Sequence, residues 1–230
     1  MTAATLILIA PLSLLLGAAL QLLVAKLCSS RTKGILAALS CLPAVLAVAG
    51  MAPAVRSGQA IELNLLQWDG PLALVLHVDA LSVLFAFMGT FLGAAVLLYS
   101  IGYMAHDKAA TRFYCSMLIF IGGFVGLVSS ANLFFFYLCW EIVGLCSFSL
   151  VGFWYTNPEA VSGARKVLLM THIAGYGLLA GILVIYFRTG SALWTDPAVA
   201  HSGAHSSFAR LRRLLRARSN IVRGPARASR

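Results

Sequence analysis

A single carboxylate stands out in the sequence because apolar and weakly polar residues surround it on both sides. Glu141 lies within the run 130–153, which reads SANLFFFYLCWEIVGLCSFSLVGF. The ten residues from Ala131 to Glu141 would span about 15 Å in a helix, or half of a bilayer core of about 30 Å. An ionised carboxylate at that depth is costly, so membrane proteins keep such residues where they face a protein or water interior. We therefore interpret Glu141 as a proton-relay residue coupled to a basic partner; a neutral carboxyl group hydrogen-bonded to another helix is the alternative.

Basic side chains follow in the next apolar run, at a spacing that places two of them on one side of a helix. His172 lies seven residues after Arg165, so both share a helix face with Gly175. That face could meet Glu141, and histidine titrates near neutral pH, which suits a proton relay; a structural histidine between helices is the alternative. Arg165 and Lys166 are further relay candidates, although charges that extend from a helix end toward the membrane surface explain them as well.

The residue types that bind metals or cofactors form no recognisable site in this sequence. Five cysteines show no CxxC pair and indicate buried thiols rather than disulfides or a metal cluster; they are Cys28, Cys41, Cys115, Cys139 and Cys146. His201 and His205 are four residues apart, but no third ligand accompanies them. No phosphate-binding glycine motif follows a strand and no haem signature is visible, so we expect neither a cofactor nor a metal.

The composition places these residues in a membrane. Of the 230 residues, 60% are hydrophobic and only 10% are charged, and the mean hydropathy is +0.91, which is typical of multi-pass membrane proteins. The net charge of +10 is concentrated in the tail, where eight arginines lie in 210–230, while the residues before it carry nine basic and seven acidic side chains. We expect a multi-pass protein of the cell inner membrane with a basic, disordered tail over 201–230.

The apolar runs predict an all-α, polytopic fold with about six transmembrane helices in 1–200. The predicted spans lie near 5–25, 34–55, 80–103, 113–128, 132–152 and 161–187. Basic residues outnumber acidic ones in the first, third and fifth connections, so the positive-inside rule places these in the cytoplasm and the N-terminus outside. Alternation in 61–65 predicts a short strand or hairpin, and Asp79 and Asn132 are predicted helix caps. Gly177 and Gly181 form a GxxxG step, which predicts a close helix contact.

Four parts of the chain carry a family resemblance. They read VDALSVLFAF with LYSIGYM, then SSANLFFFYLCWEIVGLCSFSLVGFWYTNP, then ARKVLLMTH, and last residues 186–196. They resemble the antiporter-like chain L, or subunit 5, family of proton-pumping NADH:quinone oxidoreductase. This family also includes Mrp-type cation/proton antiporter and membrane-bound hydrogenase subunits. The segment WEIVGLCSFSLVGFWY is the most specific of these matches.

The resemblance implies a fold of two inverted five-helix repeats, of which helices four to six here form part of the first. It also implies that Glu141 is the glutamate that sets the pKa of a lysine on a seventh helix, which this sequence does not include. Many chain L sequences have arginine in place of His172 and aspartate in place of Gly175. This departure favours the hydrogenase-like or bicarbonate-uptake-type branches.

We therefore expect a proton-translocating antiporter-like subunit, or its N-terminal part, in an NADH:quinone oxidoreductase or hydrogenase-type complex. Redox chemistry is left to its partners, and the sequence does not decide whether the chain should be called an enzyme. The expected partners are other membrane subunits, protons or small cations, and lipid, with no nucleic acid. Two alternatives stay open: an Mrp-type antiporter or inorganic-carbon uptake component, and a non-functional truncated remnant. The second rests on the arginine, alanine and serine bias after Asp196, which is typical of a shifted reading frame.

Overall fold

The computed structural model describes residues 3–56, 58, 60–66 and 73–199 and is predominantly helical. Its elements are α1 (Ala3–Leu23), α2 (Ser30–Arg56), β1 (Ile61–Leu66), β2 (Leu74–Val78), α3 (Ala80–Tyr103), α4 (Ala110–Ser129), α5 (Leu133–Val151) and α6 (Pro158–Thr189). Within the described residues, six helices are long and apolar enough to cross a membrane. This confirms the predicted all-α, polytopic class. The arginine-rich tail over 201–230, with His201 and His205, lies outside the described residues.

Lys33 belongs to the packed structure rather than to a polar loop. The hydropathy pattern predicts that the second helix begins near residue 34, but α2 begins at Ser30. Lys33 is only 6% exposed, and its ammonium group donates a hydrogen bond to the Ala25 carbonyl oxygen at 2.7 Å. The buried Gln21 amide donates to the Lys33 carbonyl oxygen at 2.9 Å. These contacts connect the end of α1 to the first turn of α2.

The sixth helix also begins earlier than predicted, and its start has a local cause. It begins at Pro158 rather than near residue 161. The Asn157 side chain accepts a hydrogen bond from the Glu159 N–H group at 3.0 Å, which caps the helix. Proline is favoured in the first turn because its missing N–H group would have no helical partner there. These residues extend α6 to 32 residues.

Helices α1 to α4 form a packed bundle, and α5 and α6 are added to it in turn. α1 packs on α2 and α4, α2 packs on α3, α4 packs on α3 and α5, and α6 packs mainly on α5. The fully buried side chains of the bundle include Leu14, Val48, Leu97 and Leu118. A Cβ atom at Gly93 would lie 2.4 Å from Ile121 Cδ1, so the absence of a side chain lets α3 and α4 approach closely. Of the six helices, α6 is the least buried.

The predicted hairpin is confirmed, and its polar side chains contact the chain that follows α6. β1 and β2 pair antiparallel with Ile61 opposite Val78. Across the pair, Glu62 Oε1 lies 2.9 Å from His77 Nδ1. The Trp194 ring meets the His77 ring edge-on, with 5.0 Å between their centroids. The hairpin is therefore in contact with the described C-terminal segment.

Three segments form what we call the hairpin clasp, namely 74–78, 130–133 and 192–194. Single backbone bridges pair Leu76 with Ser130 and Asn132 with Leu193. The Trp194 indole N–H group donates a hydrogen bond to the Ser130 carbonyl oxygen at 2.9 Å. The clasp thus joins the hairpin, the α4–α5 connection and the chain after α6 at one end of the bundle.

At its other end, α5 is held by an arginine from α4. The Arg112 guanidinium group donates a hydrogen bond to the Phe153 carbonyl oxygen. The guanidinium carbon also lies 4.7 Å from the centre of the Phe153 ring and 5.2 Å from that of Tyr155, which is within range of a cation–π interaction. Both ends of α5 are therefore fixed to neighbouring elements.

Both predicted helix caps are confirmed. Asp79 Oδ1 accepts a hydrogen bond from the Ser82 N–H group at 2.8 Å at the start of α3. Asn132 Oδ1 accepts from the N–H groups of Phe134 and Phe135 at 2.8 and 3.2 Å at the start of α5. The hydrogen bond from the Ser82 N–H group is the main cause that lowers the pKa of Asp79 below its usual value.

The Asp79 cap leads to a prediction about stability. Replacing an N-cap aspartate with alanine typically costs about 1 kcal/mol, so Asp79→Ala should lower the free energy of unfolding by about that amount. Because the pKa of Asp79 is lowered in the folded state, its ionised form stabilises the fold above the unfolded value of about 3.9, and this contribution is lost as the pH falls through the folded value. Unfolding of the purified protein in detergent, followed at neutral and acidic pH, measures both effects. Asp79→Asn keeps the acceptor and is the control; an equal loss in both variants would contradict the cap.

Candidate functional site

Glu141 lies near the middle of α5 and faces α6. The helix begins at the Asn132 cap, and Glu141 is the only charged residue between that cap and its last residue. Its side chain is 19% exposed. In a helix of this length and hydropathy, the carboxyl group is far from both ends, so a partner has to come from a neighbouring helix.

His172 supplies that partner from the middle of α6. Its Nε2 atom lies 3.5 Å from Glu141 Oε2, and its side chain is 26% exposed. Its Nδ1 atom lies 3.0 Å from the Leu168 carbonyl oxygen, one turn earlier. A carbonyl oxygen only accepts hydrogen bonds, so we assign the hydrogen to Nδ1, which leaves Nε2 to face the carboxyl group. The predicted meeting of this α6 face with Glu141 is confirmed.

Gly175 makes room for the carboxyl group. A Cβ atom at this position would lie 2.4 Å from Glu141 Oε1 and 3.6 Å from Trp140 Nε1. Within the described part of the chain, Glu141 Oε1 is buried and has no hydrogen-bond partner. The absence of a side chain at Gly175 is thus what allows the carboxyl group to lie between α5 and α6.

Aromatic residues on both helices border the pair. Tyr137 lies one turn before Glu141 on the same face of α5. The Tyr176 ring lies edge-on to the His172 ring, with 6.5 Å between centroids. Sequence reasoning missed Trp140 and Tyr176. Their positions are the signal that could have found them, because Trp140 directly precedes Glu141 and Tyr176 lies one helical turn after His172.

The structure does not bring the other two relay candidates to this pair. Arg165 and Lys166 are exposed near the start of α6, and Arg165 is about 10 Å along the helix axis from His172. Across residues 3–56, 58, 60–66 and 73–199, neither forms an ion pair. Exposed cations at this position are typical of side chains that reach the membrane surface.

The GxxxG step on α6 has no contact partner in this structure. Gly177 and Gly181 are both exposed, and among the described residues no atom beyond the adjoining backbone of α6 lies within 4 Å of a Cβ atom built at either position. The predicted close helix contact is therefore wrong for the helices described here, because α5 packs on the face of α6 that carries His172 and Gly175.

The thiols do not contribute to the pair. All five cysteines are free, with Cys41, Cys139 and Cys146 buried. In the part of the chain that the structure describes, no group of three or more histidine, cysteine, aspartate or glutamate side chains could hold a metal ion.

Two family models match the chain. Residues 69–114 match the N-terminus of chain 5 of NADH-ubiquinone oxidoreductase, complex I. Residues 130–211 match the transmembrane region shared by NADH:quinone oxidoreductase and Mrp antiporter. The second model includes both Glu141 and His172, and together the two models cover more than half of the chain.

Curated relatives agree with these models. The chain is 42% identical over 143 residues to the chloroplastic NAD(P)H-quinone oxidoreductase subunit 5 of Chara vulgaris, covering 60% of this chain and 22% of that protein. It is 43% identical over 119 residues to the subunit of the same name from Coffea arabica, covering 52% of this chain and 16% of that protein. The chain therefore spans about a fifth of the length of these relatives.

Solved structures share the fold. A chain of the membrane-bound sulfane sulfur reductase, an archaeal respiratory membrane complex, superposes with a TM-score of 0.68 at 25% identity, over 86% of this chain and 31% of that one. A chain of the Mrp complex from a Dietzia species gives a TM-score of 0.66 at 24% identity, over 83% of this chain and 20% of that one.

The contact between Gly175 and Glu141 leads to a second prediction. Gly175→Ala should displace the Glu141 carboxyl group, and because that group is the flexible end of its side chain the free energy of unfolding should fall by about 1 kcal/mol, the low end of the range for overpacking. Gly177→Ala is the matched control on the same helix, where nothing lies within 4 Å of the new atom. The control should be neutral or stabilise the helix by about 0.5–1 kcal/mol. Thermal unfolding of both purified variants measures the difference, and equal stability would contradict the close approach.

Proposed function

Because the chain belongs to the family of antiporter-like membrane subunits that includes chain 5 of NADH:quinone oxidoreductase, we propose that it forms part of a proton-translocating subunit. The observation that carries this proposal is the approach of His172 Nε2 to Glu141 Oε2 at 3.5 Å. Both residues lie near the middle of helices that are able to cross a membrane. Ionisable residues at such a depth mark ion and proton pathways in membrane proteins.

The pair has the chemistry of a proton relay. A carboxyl group and an imidazole can each bind and release a proton, and their close approach lets a proton pass between two helices. The Tyr137 hydroxyl group, one helical turn before Glu141 on the same face of α5, is a further donor and acceptor. Arg165 and Lys166 are exposed, and their proposed role is to contact lipid headgroups.

The proposed setting is a larger complex in the cell inner membrane. Its proposed partners are other membrane subunits, which carry out any redox chemistry; the archaeal structural relative also belongs to a respiratory membrane complex. Large apolar side chains on α6 are exposed, including Leu169, Met170, Ile173 and Phe187. In a membrane, this face can contact either lipid or further helices.

An Mrp-type cation/proton antiporter component is the second candidate function. The match over residues 130–211, which describes NADH:quinone oxidoreductase and Mrp antiporter together, favours it. The two candidates differ in the ion that they require, because an antiporter component exchanges the proton for a cation. Proton flux that depends on sodium ions would favour the antiporter.

Proton flux provides the test of the first candidate. Liposomes that contain the purified chain should conduct protons under an imposed pH gradient, and Glu141→Gln should reduce this flux roughly a hundredfold, as expected when a positioned proton-transfer group is lost. The amide occupies the same space but cannot ionise. Glu62→Gln makes the same chemical change in the exposed hairpin and should leave the flux unchanged. Flux that persists undiminished in Glu141→Gln would contradict the proposed role of this carboxyl group.

A further inference from the structure

The two nitrogen atoms of His172 have different roles because the backbone holds one of them. Nδ1 lies 3.0 Å from the Leu168 carbonyl oxygen, which can accept a hydrogen bond but cannot donate one. Nδ1 therefore keeps its hydrogen whether the ring is neutral or charged. The other ring nitrogen, Nε2, points at the carboxyl group of Glu141.

The approach of Nε2 to Glu141 Oε2 is energetically unfavourable when no proton lies between them. If the ring is neutral and the carboxyl group is ionised, two electron pairs meet across 3.5 Å in surroundings of low polarity, which is unfavourable. A single proton removes the conflict, whether it is bound to oxygen or to nitrogen. In both arrangements the pair has no net charge, which is the cheapest state for a buried ionisable group in a membrane.

No permanent cation among the described residues supports the carboxylate. On α6, Arg165 and Lys166 are exposed and lie toward the helix start. On α4, the other helix packed on α5, the charged residue is Arg112, which binds the Phe153 carbonyl group at the far end of α5. The other polar side chains near the pair are the hydroxyl groups of Tyr137 on α5 and Tyr176 on α6, and a tyrosine side chain carries no positive charge.

We infer that Glu141 and His172 form one proton-binding unit that is electrically neutral with a single proton held between Glu141 Oε2 and His172 Nε2. This inference rests on the proposed function and specifies how its site works. When the shared proton moves from Oε2 to Nε2, an O–H bond breaks and an N–H bond forms, and a neutral acid and neutral ring become a carboxylate and an imidazolium.

Nitrogen NMR of the chain in lipid bilayers tests this inference directly. The histidines are labelled with ¹⁵N, and the signals of His172 are identified by their loss in His172→Gln. At neutral pH we expect Nδ1 to carry a hydrogen and Nε2 to share one with a carboxyl group. In Glu141→Gln, Nε2 should lose its hydrogen and accept a bond from the neutral amide, while Nδ1 stays unchanged.

Two further variants make the test specific. Gly175→Ala keeps both Glu141 and His172 but displaces the carboxyl group, so the Nε2 signal should shift toward the signal seen in Glu141→Gln. If Glu141→Gln does not fold, Gly175→Ala alone tests whether the Nε2 signal depends on the carboxyl group. Glu62→Gln, which alters the contact with His77, should leave the His172 signals unchanged. A hydrogen found on Nε2 with Nδ1 bare, or an Nε2 signal that is the same with and without Glu141, would overturn the inference. Since these spectra require no gradient and no flux, their outcome is independent of the test of proton translocation.

Discussion

A carboxyl group in the hydrocarbon interior must be neutral or must be neutralised by a group that the protein supplies. α5 cannot supply that group itself, because Glu141 is its only charged residue. The partner comes from α6, and the distance of 3.5 Å requires the two helices to keep a defined rotation and register. The ends of α5 hold this register: the Asn132 cap lies within the hairpin clasp, and Arg112 binds the carbonyl group at the opposite end.

The parts of this arrangement that depend on local sequence could be predicted. Continuous apolar runs predict the helices, and alternation of polar and apolar residues predicts the hairpin. A lone glutamate in such a run indicates the site without any structure, and the helical repeat places His172 on a face with Gly175. The caps at Asp79 and Asn132 are predictable for the same reason, since each contact lies within three residues of the cap.

The parts that depend on distant residues could not be predicted. Lys33 reads as a loop residue, yet it is buried and its ammonium group donates a hydrogen bond to the Ala25 carbonyl group, in the turn after α1. The bond between Trp194 and Ser130 joins positions 64 residues apart, which no local pattern indicates. Gly175 reads as a departure from the family pattern, and only the structure shows that its missing side chain accommodates the Glu141 carboxyl group. Arg165 is a further example: the helical repeat places it on one face with His172, but the repeat does not show that it lies too far along α6 to reach the pair.

The length of α6 has a consequence for the depth of its histidine. A helix of 32 residues is about 48 Å long, whereas the hydrocarbon core is about 30 Å thick. Tilting alone would require an angle of about 50°, beyond the usual limit of about 40°, so part of α6 extends past the membrane core. Its first turns carry Glu159, Arg165 and Lys166, which identifies them as the protruding part. These charges therefore anchor the start of α6 at the headgroup level, and the imidazole of His172 lies about 10 Å further along the helix axis, a separation that does not depend on the acyl-chain length of the lipids.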